Sequence, residues 1–268
     1  MIDVDYIFVV VVYRNGEDLI TFNQSLKPWL NNYKIVVVDS YCSELYSIRI
    51  KNISKQIDAD YFVVENKGYG SGNNAGINYV KNHYNFNYCI ISNADIELLK
   101  FDDKFLPKCN AVIGPRIVTL NGKDQNPYWY RRNFLGEWLI YKFIKNGMGR
   151  LCWIVYAYNR LVREFFLKIN KKKITEVYAL HGAFIIFPKD VVYKISEFFD
   201  QKMFLYNEEA YLALILENKN IKKYLDFDIV VKHKEGGSTV GLNFDSRGFY
   251  SKSFIRYFEM NCRKRGDK

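Results

Sequence analysis

No apolar run in these 268 residues is long enough to cross a bilayer; the longest, Ile7 to Tyr13, falls far short of the ~20 residues a spanning helix needs. The start, Met1-Ile-Asp-Val-Asp5, lacks the basic opening of a secretory signal, so neither a signal peptide nor a transmembrane span is expected. Cysteine is sparse and scattered. Its five copies (Cys42, Cys89, Cys109, Cys152, Cys262) never form a CxxC pair, which speaks against a zinc knuckle or a disulfide framework and for a reducing cytoplasm. With only 5 Pro and 16 Gly, no repeat and no low-complexity tract, a linker-rich multidomain chain is excluded. What is abundant is core material: 49% hydrophobic and 17% aromatic residues rule out disorder and predict one large globular domain.

The net charge of +10 is unevenly spread. Between Arg131 and Lys173 stand eleven basic residues against Glu137 and Glu164, a net of +9, and six more follow between Lys252 and Lys268 against Glu259 and Asp267. Two basic zones therefore interrupt a slightly acidic body. Within the first zone Leu151, Ile154, Val155, Tyr158, Leu161, Val162, Phe165 and Ile169 recur at helical spacing, with Asn159, Arg160, Arg163 and Lys168 off that stripe, the pattern of a basic amphipathic helix. Such a helix either packs its stripe on a sheet or lies on an anionic membrane. Trp153 and Tyr158 accompany the charge, but no sequence-reading module is present, so nucleic acid is not expected as a partner.

Ile7–Tyr13, Lys34–Asp39, Tyr61–Glu65 and Tyr88–Ser92 are continuous β-branched or apolar runs, as in strands buried on both faces of a parallel sheet. Helical stretches are predicted between them, at Leu19–Leu30 and, after a Gly-rich turn, at Ala75–Asn82. Further strands are expected at Ala111–Val118, Ala183–Phe187 and Phe227–Lys232, with a helix over Glu208–Asn218. The alternation predicts an open α/β sheet, whose ligands bind beyond the carboxyl ends of the strands.

Several constellations fall at those ends. Asn66-Lys-Gly-Tyr-Gly-Ser-Gly-Asn-Asn-Ala-Gly76 follows a strand and opens a helix, so it suits either a phosphate at the helix N-terminus or a plain capped turn. Its Gly70-Ser-Gly72-Asn-Asn-Ala75 portion also fits the GxGxxA dinucleotide fingerprint, though that fingerprint belongs after a first strand, not a third. Asp95, closing Asn93-Ala-Asp95, can hold a divalent cation or cap the next segment; Asp39 can accept from a base or ribose or make an Asx-turn. Glu208 and Glu209 open a helix, where acids favour the macrodipole but could also serve as general base. His233, before a Gly236-Gly237 turn, is either a satisfied histidine or a ligand.

Taken in order, these segments resemble the family 2 glycosyltransferases of GT-A fold, especially the bacterial rhamnosyltransferase-like branch. The match runs through Val9–Asn15, Val37–Asp39, Glu65–Gly76, Ile91–Asp95, Gly114-Pro-Arg116, Gly182–Phe184, Phe199–Glu209 and His233–Ser238, about two thirds of the chain. The resemblance implies a Rossmann-like nucleotide-sugar-binding sheet over residues 1–240, with helices on both faces. It also implies a basic helical insertion at about 129–175 and a basic helical tail at 241–268.

It further implies a donor site drawing on Tyr13, Asn15, Asp39, Asn66, Gly72, Asn73, Asn74, Asn93 and Arg116, with Mg²⁺ or Mn²⁺ held by Asp95 and His233. The family's acidic pair maps onto Glu208-Glu209, with Glu209 as base where Asp is usual; Asn93 stands for the first acid of a DxD, Ser40 for a common Asn and Tyr211 for a frequent Asp. The implied enzyme is an inverting hexosyl- or rhamnosyltransferase, with dTDP-rhamnose or a UDP-hexose as donor and a glycan or polyprenyl-diphosphate-linked acceptor. It would build bacterial surface polysaccharide from the inner face of the plasma membrane, as a peripheral protein. The rivals are an NAD-dependent Rossmann enzyme, which leaves Glu208, Glu209 and His233 unused, and a noncatalytic module of the same fold.

Overall fold

The computed structural model describes residues 1–106, 110–235 and 246–266; Cys109, the Gly236–Thr239 turn and the boundary expected at 240 lie outside them. The elements run β1 (Ile2–Val12), α1 (Asp18–Leu26), β2 (Tyr33–Ser40), α2 (Glu44–Gln56), β3 (Asp60–Val64), α3 (Tyr69–His83), β4 (Tyr84–Ser92), β5 (Ile96–Phe101) and β6 (Val112–Thr119). They continue with α4 (Phe134–Lys145), a 3-10 turn (Gly149–Leu151), α5 (Cys152–Ile169), β7 (Ile174–Glu176), β8 (Phe184–Pro188), α6 (Lys189–Lys194), α7 (Glu208–Asn218), β9 (Lys223–His233) and α8 (Ser246–Gly266).

One mixed sheet organises the chain, in the order β3-β2-β1-β4-β8-β6-β9-β5, with β7 paired to β9. The first four strands in that order are parallel; β8 then runs antiparallel to both β4 and β6, and β9 lies parallel to β6. The valine run of β1 is buried on both faces: Ile7 and Val9 join the core on one side, Phe8 and Val10 the core on the other. The strand order reverses at β1, from which β2 lies to one side and β4 to the other. This switch point opens the crevice that open α/β sheets use for ligands.

The Gly-rich segment is not a turn, as expected, but the first two turns of α3, which begins at Tyr69. Its glycines face the protein. A Cβ on Gly76 would meet Val9 Cγ1 at 2.3 Å, one on Gly72 would meet Val11 Cγ1 at 2.8 Å, and one on Gly70 would meet Phe199 Cβ at 2.7 Å. Gly72 and Gly76 let the helix settle directly on β1, Gly70 lets it meet Phe199, and the fingerprint spacing serves packing. The residue that needs glycine for its backbone is Gly68, at φ 99° before the helix.

Several elements, among them α2 and β5, lack a strong sequence signal. α2 fully buries only Ile50 and Ser54, and β5 pairs with β9 alone at the sheet margin, with a register shift between Leu98 and Lys100. Helices α4 and α5 form a hairpin. It encloses a third apolar cluster with α7 and α8, centred on Trp129, Tyr178, Phe254 and Tyr257. The basic tail is thus tied into the fold: Glu137 on α4, almost fully buried, accepts from Tyr257 Oη at 3.1 Å and Asn261 Nδ2 at 3.2 Å and pairs with Arg132.

Candidate active site

A cleft of about 730 Å³ lies beyond the ends of β1, β2 and β4. The β1 end supplies Tyr13 and Asn15, the β2 end Ser40, the loop into α3 Asn66 and Gly68, and the β4 end Asn93 and Asp95. On the facing side stand His181, Gly182, Glu208 and Glu209, with His233 and Glu235 from the end of β9.

Asp95 and His233 form one centre. Asp95 Oδ1 lies 3.2 Å from His233 Nε2, and both side chains are nearly buried. Gln125 donates from Nε2 to Glu235 Oε1 at 2.6 Å, which leaves its Oε1, 2.7 Å from His233 Nδ1, as an acceptor. His233 Nδ1 therefore donates to Gln125, and its Nε2 faces Asp95 Oδ1 and, at 3.4 Å, the Asn93 side-chain amide nitrogen. A carboxylate oxygen and an imidazole nitrogen brought this close at the cleft are ligand types that a divalent cation takes. An outer partner fixing the far nitrogen is the usual support of a metal-binding histidine. Among the described residues no cluster of three or more metal-ligating side chains occurs. One carboxylate and one imidazole can nevertheless hold a divalent cation whose shell is completed by waters and substrate phosphate oxygens, and the mixed oxygen and nitrogen set suits Mn²⁺ better than Mg²⁺. The donor set fits the expected metal.

Glu208 and Glu209 are delivered by an unusual backbone. Tyr206 and Asn207 are both left-handed, at φ 71° and 64°, a conformation that a tyrosine rarely adopts. Two such residues turn the chain sharply into α7, so that its first two side chains enter the cleft. Burial, then the Glu209 charge, pushes the Glu208 carboxyl up to about 8, and its Oε1 has no hydrogen-bond partner among the described residues. Burial also pushes Glu209 up, but its own N–H and that of Gly182 oppose the shift; Gly182 N donates to Glu209 Oε1 at 3.3 Å. Burial thus raises both carboxyls, and Glu209, to which the Gly182 N–H donates, is the better supported carboxylate of the pair. Gly182 matters sterically as well, since a Cβ there would lie 3.2 Å from Glu209 Oε1.

Tyr69 joins the two halves. Its hydroxyl lies 3.0 Å from both Asn93 Oδ1 and the Gly182 carbonyl, and burial pushes it far above the ordinary tyrosine range. His181 is held neutral, its pKa pushed down to about 3 by burial and then by His233. Its Nδ1 accepts from Ala183 N at 3.2 Å, so the ring proton sits on Nε2 and the residue is a neutral donor.

The other residues expected to bind donor lie elsewhere. Asp39 is buried and accepts from Tyr61 Oη at 2.7 Å, while its neighbour Ser40 reaches the cleft. Gly72 packs on Val11. Asn73 donates to Tyr69 O at 3.0 Å, and Asn74 bridges to Phe199 O and the N–H groups of Phe198 and Phe199, tying α3 to the segment before α7. Arg116 pairs with Asp124 away from the cleft. Conversely Tyr69, Tyr128, His181, Phe204, Tyr206 and Tyr250 line it without having been singled out as site residues. Of these, Tyr69, Phe204 and Tyr206 fall within the matched segments Glu65–Gly76 and Phe199–Glu209, and His181 directly precedes the match at Gly182–Phe184.

No protein-family model and no curated protein sequence matches the chain. Solved structures do. The chain superposes on GalNAc-T7, crystallised with UDP, GalNAc and Mn²⁺, with a TM-score of 0.60 and 13% identity over 96% of this chain and 48% of that one. It superposes on S. aureus TarS with a TM-score of 0.57 and 11% identity over 86% of this chain and 36% of that one. It therefore spans about half the length of the first and about a third of the second. The likeness establishes the fold: the sheet and its flanking helices are those of the GT-A glycosyltransferases.

Proposed function

We propose that the protein is an inverting glycosyltransferase that moves a sugar from a nucleotide-diphosphate sugar to a hydroxyl of a glycan or lipid-linked acceptor in bacterial surface polysaccharide synthesis. The observation that carries this reading is the meeting of the Asp95–His233 pair and the Glu208-Glu209 pair in one cleft at the sheet's switch point. The catalytic unit is residues 1–240, with 129–175 inserted and 241–268 as its tail. dTDP-rhamnose and UDP-hexoses are the donors favoured by the family resemblance; the similar GalNAc-T7 structure holds UDP and Mn²⁺.

On this reading Tyr13, Asn15, Ser40 and Asn66 take the nucleoside end of the donor. The positive end of the α3 dipole, at Gly68 and Tyr69, faces the diphosphate. Asp95 and His233 would hold Mg²⁺ or Mn²⁺, which when bound supplies Lewis-acid charge to the leaving diphosphate. Aromatic faces at Tyr128, Phe204, Tyr206 and Tyr250 offer apolar surface to an acceptor sugar beside Glu209.

Glu209 accepts the proton of the acceptor hydroxyl as that oxygen bonds the anomeric carbon and the bond from that carbon to the diphosphate breaks. A single displacement inverts the configuration. Glu208, protonated, adds a neutral donor and leaves one negative charge on the pair. The test is a panel of UDP- and dTDP-sugars scored by thermal stabilisation with and without Mn²⁺. A ligand at about 100 times its Kd contributes about 2.7 kcal/mol. A melting temperature unmoved by every nucleotide sugar in the presence of Mn²⁺ would defeat the proposal.

A further inference from the structure

The amphipathic stripe of α5 does not pack on the sheet. Cys152, Val155 and Phe166 turn inward, whereas Leu151, Ile154, Tyr158, Leu161, Phe165 and Ile169 form a ridge open to solvent, with Leu161 65% and Phe165 66% exposed. On α4, Leu135 and Trp138 are exposed too, and Trp153 is 63% exposed at the start of α5. A soluble surface scatters such residues singly; a continuous apolar ridge marks a docking face.

The charge beside the ridge identifies what it meets. Several cations of this segment are already used: Arg132 by Glu217, Lys145 by Glu259, Arg160 by Glu164 and Lys173 by Asp228. Arg150, Lys168, Lys171 and Lys172 make no salt bridge among the described residues, and Lys142 lies over the Trp138 ring, 5.7 Å from its centroid. At 100° per residue, Lys168 flanks the ridge of Leu161 and Phe165 directly. Apolar side chains and tryptophans bordered by unpaired cations fit the interface of an anionic bilayer. A second copy of this chain fits poorly, because a self-complementary contact would bring like charges together.

We propose that the α4–α5 hairpin is a membrane-docking surface for anionic lipid, with α5 lying in the headgroup plane. The inward side of α5 reaches the cleft: Tyr156 packs edge-on against the cleft-lining Tyr250, and Arg163 Nη1 donates to the carbonyl of Gln125, whose side chain orients His233. Docking would hold the cleft close to the lipid surface. Its meaning for a lipid-linked acceptor rests on the glycosyltransferase reading; the docking itself does not.

The experiment is flotation of the full chain with phosphatidylglycerol-containing and pure phosphatidylcholine vesicles, alongside the nucleotide-sugar thermal shift as a separate readout of the cleft. Binding is expected only to the anionic vesicles, and it should weaken as screening shortens from about 10 Å at 0.1 M salt to about 3 Å at 1 M. The exposed-site variant Leu161→Glu/Phe165→Glu should lose at least about tenfold in affinity with an unchanged melting temperature. Lys168→Gln and Lys171→Gln should each cost about fivefold, the equivalent of one cation near the surface. Equal binding to both vesicle types, or binding unaffected by Leu161→Glu/Phe165→Glu, overturns the proposal. So does absence of vesicle binding with self-association that this double variant abolishes, which would assign the ridge to a second copy. A failed thermal shift with intact flotation would instead reject the sugar-transfer reading alone.

Discussion

Replacing Glu208 by Gln separates the two acids of the pair. Glu208 is buried, and burial followed by the charge of Glu209 raises its carboxyl from 4.5 to about 8. Between those values the folded chain keeps a proton that the unfolded chain releases, so stability falls as pH rises. The contribution is complete below pH 4.5 and is lost progressively up to about pH 8. At roughly 1.36 kcal/mol per pH unit the loss approaches about 5 kcal/mol. Gln has nearly the same shape and never ionises, so Glu208→Gln removes this penalty. Calorimetry should find the two proteins alike at the acid end and the variant increasingly more stable toward pH 8. Even about half the full effect amounts to roughly 5–10 °C in a chain of this size. A melting-temperature gap that does not change with pH, or a parent more stable than the variant at pH 8, refutes the assignment of the proton to Glu208. Near neutral pH the same variant should keep turnover within about tenfold, while Glu209→Gln should lower it at least ~100-fold with donor affinity nearly intact. The reverse order of effects would make Glu208 the base.

Asp95→Ala should abolish Mn²⁺-dependent donor stabilisation in the thermal shift while leaving the far-ultraviolet circular dichroism unchanged; equal donor affinity with and without chelator would remove the metal from this site. Gly76→Ala places a methyl 2.3 Å from Val9 Cγ1 and should cost about 1–3 kcal/mol, read as a lower urea midpoint; an unchanged midpoint would show that α3 is not seated hard on β1. Glu137→Gln weakens the buried junction with Arg132, Tyr257 and Asn261. It should cost about 1–3 kcal/mol, and a loss confined to proteolytic sensitivity of α8 would show that the tail unfolds separately from the sheet.

Much of the sheet is legible along the chain, because a strand segment buried on both faces must be apolar, as Ile7–Val12 of β1, Ile35–Val38 of β2 and Cys89–Ile91 of β4 are. α7 is equally plain, since Ala210–Leu216 is apolar between an acidic start and Glu217. α2 and β5 are faint for the converse reason. Each buries few side chains, and burial is what writes a pattern into a sequence. The glycines of α3 illustrate a different limit: the spacing that would cradle a ligand also fits a helix seated on β-branched neighbours, and only the position of Val9 and Val11 separates the two.

Strand-end residues such as Asn93, Asp95 and His233 could be named as candidates because chain direction puts loops at the sheet's carboxyl edge. Which of two neighbours enters the cleft is decided by the pleat, which sends Ser40 in and turns Asp39 to Tyr61. His181, Tyr128 and Tyr250 come from distant segments folded over the site, and no local pattern announces a contact made across the chain. The raised Glu208 carboxyl likewise exists only through desolvation by the closed fold. For α5, periodicity establishes an apolar stripe, but a period of 3.6 states only that one face differs from the other. The neighbours that α5 meets in three dimensions decide that Val155 and Phe166 are covered and that Leu161 and Phe165 are left open.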